Sequence, residues 1–164
     1  MRVEQVMSHD VKVCLASDTL NHAAELMWNH NCGFLPVVCD EASRILIGVI
    51  TDRDLAMAAY TQGKTLWAVP VSIAMARGVK VCHPSDDIST AEALMRLKQV
   101  HRLPVIDNDG SLVGVISLND IARAVQEQTR GPQEIRDKAV TETLAAISQP
   151  RDKHGLSVER EYVE

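Results

Sequence analysis

From Leu20 onward the apolar positions Leu20, Ala23, Ala24 and Met27 fall at the three-and-four spacing of one helix stripe, which ends before Gly33. Ser17 or Asp18 offers an N-cap oxygen for that helix. The rhythm then changes. Leu35 to Cys39 and Arg44 to Ile50 are apolar, β-branched runs on either side of a polar turn, which predicts two paired strands. A second helical stretch runs from about Asp52 to Thr61, and Val11 to Cys14, ahead of the first helix, is a short β-rich run. The predicted order is strand, helix, strand, strand, helix.

The whole order is then written again. Val11-Lys12-Val13-Cys14 returns as Val79-Lys80-Val81-Cys82, and Leu35-Pro36-Val37 returns as Leu103-Pro104-Val105, both 68 positions on. After a shorter turn at Asn108-Asp109-Gly110 the offset drops to 66, so that Gly48-Val49-Ile50-Thr51-Asp52-Arg53-Asp54 matches Gly114-Val115-Ile116-Ser117-Leu118-Asn119-Asp120. The second copy predicts a helix from about Asp87 to Gln99, strands over Leu103 to Ile106 and Leu112 to Ile116, and a helix from Leu118 to Gln128. Val71 to Met75 parallels Val3 to Met7, so each copy begins with a short apolar helix or turn.

This divides the chain into a first repeat (1–62), a linker (63–70) and a second repeat (71–128). A unit of roughly 60 residues buries little surface alone, so pairing the two sheets face to face is the expected way to complete a core. In the linker, Trp67 is expected to pack. Beyond Gly131-Pro132, the stripe of Ile135, Ala139, Val140, Leu144 and Ile147 predicts a further amphipathic helix. It packs on its own module, or docks across a dimer or onto a partner. From Pro150 the residues are mostly polar and read as disordered or as an extended arm, so 129–164 is a C-terminal helix and tail.

Composition narrows the chemistry. Aromatic residues make up 3% of the 164, so stacking on aromatic rings is not the main binding device, and a net charge of −5 argues against a sequence-blind grip on nucleic acid or anionic lipid. No run approaches the roughly 18 apolar residues of a membrane span, and no secretory core follows Met1, so a soluble, cytoplasmic protein is expected. Cys14, Cys32, Cys39 and Cys82 show no C-x-x-C spacing and read as buried reduced thiols; no metal site is expected. Neither a G-x-S-x-G elbow nor a Walker loop is present, and no catalytic activity is expected.

The recurring heptapeptide has two readings. Thr51 followed three residues later by Asp54, and Ser117 by Asp120, are near capping boxes that need no ligand. The same residues stand where a strand ends and a helix N-terminus presents free N–H groups, a favourable place for phosphate, with Gly48 and Gly114 permitting close approach.

The doubled pattern, L-P-V before a hairpin and G-V-I-[TS]-x-x-D after it, resembles the cystathionine-β-synthase-type (CBS) domain pair, or Bateman module, over residues 3 to about 127. The resemblance implies a mixed α/β (α+β) fold of two β-α-β-β-α units, related by pseudo-twofold pairing of their sheets. It implies two clefts for adenine nucleotides, a flat dimer of two chains, and signalling without catalysis.

Carried onto this sequence, Thr51 and Ser117 donate to a phosphate or ribose oxygen, and Asp54 and Asp120 accept from ribose hydroxyls. His101 and Arg102 match a His-Arg pair that reaches phosphate in the nucleotide-sensing subunit of AMP-activated kinase. Arg53 can supply charge to the first half, whose Gly33 and Phe34 suggest a more apolar wall. Val13 and Val81 stand where many members carry Thr, leaving base recognition there to backbone groups; Pro36 and Pro104 complete the candidate nucleotide contacts. The expectation is a regulatory module for an adenosine-containing ligand, AMP first among AMP, ADP, ATP, NAD and S-adenosylmethionine. It would act as a homodimer, with a protein partner possible through the C-terminal helix. The alternative is a ligandless dimerisation or adaptor module in which both motifs are caps only. The second half, with His101 and Arg102, is the more phosphate-ready.

Overall fold

A computed structural model describes residues 1–127 and 133–149. The first half contains β1 (Cys14–Leu15), α1 (Leu20–Asn29), β2 (Phe34–Val38), β3 (Leu46–Thr51) and α2 (Asp52–Gln62). After a 3-10 turn at Leu66–Ala68 come α3 (Val71–Ala74), α4 (Ile88–Lys98), β4 (Arg102–Ile106), β5 (Leu112–Ser117), α5 (Leu118–Glu127) and α6 (Gln133–Ile147). In the first sheet β2 pairs antiparallel with β3 and parallel with β1; in the second, β4 and β5 form an antiparallel hairpin. The expected mixed α+β repeat is present in both halves.

Differences from the expected elements have local causes. The first strand begins later than Val11, at Cys14, and its counterpart shrinks to one bridge between Cys82 and Val105. Each is cut short by a carboxylate: Asp18 accepts from the Leu15 N–H at 2.7 Å and Asp86 from the His83 N–H at 2.8 Å. Those aspartates turn the chain instead of capping it. The α1 cap is Thr19, whose hydroxyl accepts from the His22 N–H.

Each half is completed by a segment that precedes the other half in sequence. The first core, around Leu20, Leu35, Val37 and Ile50, includes Val69, Val71 and Met75; the second, around Met95, Leu103, Ile116 and Ile121, includes Val3 and Met7. Matching hydrogen bonds fix the two arms. Val3 N–H donates to Asp86 O at 2.9 Å, and Ser8 and Val115 exchange bonds at 2.9 and 3.0 Å. In the other half Val71 N–H donates to Asp18 O at 2.7 Å, and Ala76 and Val49 exchange bonds at 2.8 and 3.0 Å.

The glycines of the heptapeptides make room for these arms. A β-carbon on Gly48 would stand 2.7 Å from Ala76 O, and one on Gly114 would stand 2.9 Å from Ser8 O. The close approach they permit is therefore to the chain's own backbone. At the hairpin tips the halves join directly, Leu46 N–H donating to Gly110 O at 3.1 Å and Leu112 N–H to Arg44 O at 2.9 Å.

The C-terminal helix packs on its own module: α6 lies against α4 and α5, Ile147 enters the second core, and the Arg96 guanidinium reaches the Thr143 hydroxyl at 3.4 Å. The first half shows the opposite. Trp28 and Met57 are exposed on α1 and α2, as is Tyr60 at 83%. Trp67, expected to pack, is 70% exposed, because the linker docks through Leu66 and Val69. The expected tail from Pro150 lies outside the described residues. Among the described residues no helix is long and apolar enough to cross a membrane.

Candidate functional site

Both heptapeptides form complete capping boxes. At the start of α2 the Thr51 N–H and hydroxyl donate to one oxygen of Asp54, at 2.9 and 2.7 Å, while the Asp54 N–H returns a bond to the Thr51 hydroxyl at 3.3 Å. At the start of α5 the Ser117 N–H donates to Asp120 at 2.9 Å, the Ser117 hydroxyl donates to the same oxygen, and the Asp120 N–H returns a bond at 3.2 Å. The two sites then diverge. Asp54 is half-buried, whereas Asp120 is buried and its second oxygen is paired with the Arg123 guanidinium.

The second box forms part of the wall of a cleft of about 900 Å³ between the halves. The second half contributes Arg102, Ser117, Asn119, Asp120 and Arg123. The first contributes Phe34 and Cys32 at the start of β2, with His30 and Asn31 before them. The segment leading to β1 closes it with Ser8, Asp10, Val11 and Lys12. Three cationic side chains, Lys12, Arg102 and Arg123, thus meet two carboxylates, Asp10 and Asp120, beside an apolar patch of Val11, Phe34 and Leu35. The Lys12 ammonium is tied to Asp10 at 2.9 Å and holds that exposed carboxyl below its usual range. Charged walls around an apolar face suit a ligand with an aromatic base at one end and anionic oxygens at the other.

Of the residues singled out from sequence, Ser117, Asp120 and Arg102 line this cleft, and Phe34 joins them. Thr51, Asp54 and Arg53 do not; they stand at the corresponding helix start of the first half, with Arg53 exposed. His101 is exposed and outside the lining, and its carbonyl receives the Leu118 N–H at 3.0 Å, anchoring α5. Val13 and Val81 are half-buried beside the first strands, outside the lining. Pro36 and Pro104 are buried inside β2 and β4, where the Pro104 carbonyl accepts from Cys82 N–H at 3.0 Å. Lys12 and Arg123 were missed by the sequence reading. Arg123 had a legible signal, its place one helical turn after Asp120; Lys12 reaches the cleft only through the tertiary fold.

Cys14 and Cys82 are buried, and burial pushes their thiols up to about 12 and about 11. Against the expectation of four buried thiols, Cys32 is half-buried, and Cys39 is exposed because it lies just past the end of β2 where the chain leaves the sheet. No group of three or more metal-ligating side chains is found among the described residues.

The CBS domain family model matches residues 3–60 and 71–127. The CBS domain-containing protein YhcV of Bacillus subtilis is 35% identical over 120 residues, covering 73% of this chain and 82% of YhcV. Among solved structures, CBSX2 in complex with AMP is 27% identical with a TM-score of 0.69, covering 79% of this chain and 98% of that one. The CBS domain pair of protein MJ0100, in complex with 5′-methylthioadenosine and S-adenosyl-L-methionine, is 26% identical with a TM-score of 0.68, covering 79% and 98%.

Proposed function

We propose that this chain, which belongs to the CBS domain family, is a cytoplasmic, non-catalytic regulatory module that binds an adenosine-containing ligand, AMP first, in the cleft beside Ser117 and Asp120. The observation that carries the reading is the placement of that carboxylate and hydroxyl in one cleft with Lys12, Arg102 and Arg123, facing Val11, Phe34 and Leu35. Asp120 accepts from ribose hydroxyls, the cations take the phosphate, and the apolar face takes the base. The AMP, 5′-methylthioadenosine and S-adenosylmethionine bound by CBSX2 and MJ0100 support an adenosine-containing ligand as the class. Binding changes the closure of the two halves, and the module passes that change on through a homodimer or a partner. The bare apolar side chains of α1 and α2, Trp28, Met57 and Tyr60, support a second copy as the neighbour of the first half.

Thermal unfolding with AMP, ADP, ATP, NAD and S-adenosylmethionine tests the reading. A ligand that binds only the native chain stabilises it by ~2.7 kcal/mol at a hundredfold excess over Kd. A rise in melting temperature with at least one of the five is expected; flat curves with all five at millimolar ligand would refute it. The adaptor reading keeps one supporting observation: Thr51 and Asp54 form a complete capping box outside the cleft. The first-half motif therefore serves as a cap, and ligand binding rests on the second.

A further inference from the structure

Arg123 lies one helical turn beyond Asp120 on α5 and lines the same cleft. Its guanidinium pairs with one oxygen of Asp120, while the other oxygen takes the Ser117 N–H and hydroxyl. The Asp120 side chain is 8% exposed and that of Arg123 is 69% exposed. The position matching Arg123 in the first half, 66 residues earlier, is Met57, so Asp54 has no counterpart of this ion pair on its own helix. The pair therefore distinguishes the half whose motif opens into the cleft.

We propose that Arg123 is a specificity-determining residue, a latch on Asp120 that admits phosphate-bearing nucleotides in preference to the uncharged nucleoside. The proposal rests on the reading that the Asp120 cleft binds an adenosine-containing ligand. Ser117 already fills one oxygen of Asp120 with two hydrogen bonds, so a ribose that reaches Asp120 competes with Arg123 for the other. Hydroxyl donors restore the hydrogen bonds of a buried carboxylate but not its opposite charge, and a buried charge stripped of its partner is costly. A phosphate on the same ligand changes the balance. The released guanidinium has an anion to grip with two parallel N–H donors, and the cleft stays neutralised. Because the Arg123 side chain is 69% exposed, it can swing from the carboxylate to a phosphate without disturbing the packed core. Arg102 in the same wall is paired with no carboxylate among the described residues and attracts phosphate irrespective of the latch.

Isothermal titration of AMP and of adenosine into the full chain and its Arg123→Gln and Arg123→Lys variants tests this. Arg123→Gln is expected to weaken AMP by about tenfold to a hundredfold, the range for losing a charge-assisted bond. Adenosine affinity stays the same or rises, and Arg123→Lys falls between for AMP. The readout is the ratio of the two affinities, which a purely structural role would leave alone. Equal losses for both ligands, an unchanged ratio, or wild-type chain that binds adenosine as tightly as AMP overturns the latch. Wild-type chain that binds neither overturns the latch, and flat melting curves with all five ligands overturn the cleft reading with it, whereas AMP binding with an unchanged ratio in Arg123→Gln overturns the latch alone.

Discussion

Asp120 has two partners with different demands: Ser117, which uses it to cap α5, and Arg123, which holds it from inside the cleft. Replacing it with Ala removes both roles, and a lost cap alone costs roughly 1 kcal/mol of stability. Affinity must therefore be measured on protein shown to be folded by circular dichroism. Under that condition Asp120→Ala is expected to lower AMP affinity by roughly tenfold to a hundredfold. Asp54→Ala, which changes only the capping box at α2, is expected to lower the melting temperature while leaving AMP affinity within error. Equal effects of the two on affinity would show that both halves bind. A second prediction concerns the thiols. Cys39 is exposed and is expected to react first with a thiol reagent, while Cys14 and Cys82, buried and raised to about 12 and about 11, react only as the chain unfolds. Alkylation followed by mass spectrometry reads the order. At this scale the sequence showed that Thr51 and Ser117 cap their helices, because T/S-x-x-D is a local pattern, but not that Thr19 caps α1. Which of the two caps faces a cleft depends on Lys12 and Phe34, distant in sequence, and was indicated only indirectly by Arg102.

Helices and hairpins were legible from periodicity almost to their ends, since α1, α2, α4 and α5 carry their apolar stripes and the hairpins their turn residues. The destination of the short arms was not. Val3 to Met7 and Val71 to Met75 are alike in sequence, and nothing local says that each packs on the other half. The glycines test that packing: Gly48→Ala and Gly114→Ala would drive a methyl against Ala76 O and Ser8 O, and each is expected to cost about 1–3 kcal/mol by the usual penalty for overpacking. Denaturant midpoints measure it, and unchanged midpoints would contradict the tight fit. Helix α4 supplies a pH-dependent prediction. Burial raises the carboxyl of Glu92, opposed by the Arg96 charge beside it. Between the ordinary value of 4.5 and that raised value the native chain binds more protons than the unfolded one, so this group's contribution to stability falls as pH rises through the window. Glu92→Gln is accordingly expected to raise the melting temperature at about pH 7 and to change it little at about pH 3, where both states are protonated.

The molecule as a whole is two cores joined by two crossing arms and by hairpin tips that bond across the pseudo-twofold. Duplication, unit order and the mixed α+β class could be read from the 68-residue and 66-residue offsets, because those are properties of the chain. The phosphate-ready second half could be read from Arg102, but the uneven covering of the halves could not, since among the described residues α6 covers α4 and α5 while Trp28, Met57 and Tyr60 on α1 and α2 stay exposed. A fragment of residues 1–62 lacks Val69, Val71 and Met75 from its own core and keeps Val3 and Met7, which belong to the other. It is expected to show no cooperative unfolding transition in calorimetry, whereas the full chain unfolds in one. The crossing arms also bear on how such a doubled chain assembles. Two separate copies of one repeat, each lending its arm to the other, would fold only as fast and as fully as they could find one another in solution. A peptide tether turns that search into an encounter at an effective concentration in the millimolar range, so the folded state of this chain no longer depends on how dilute the protein is.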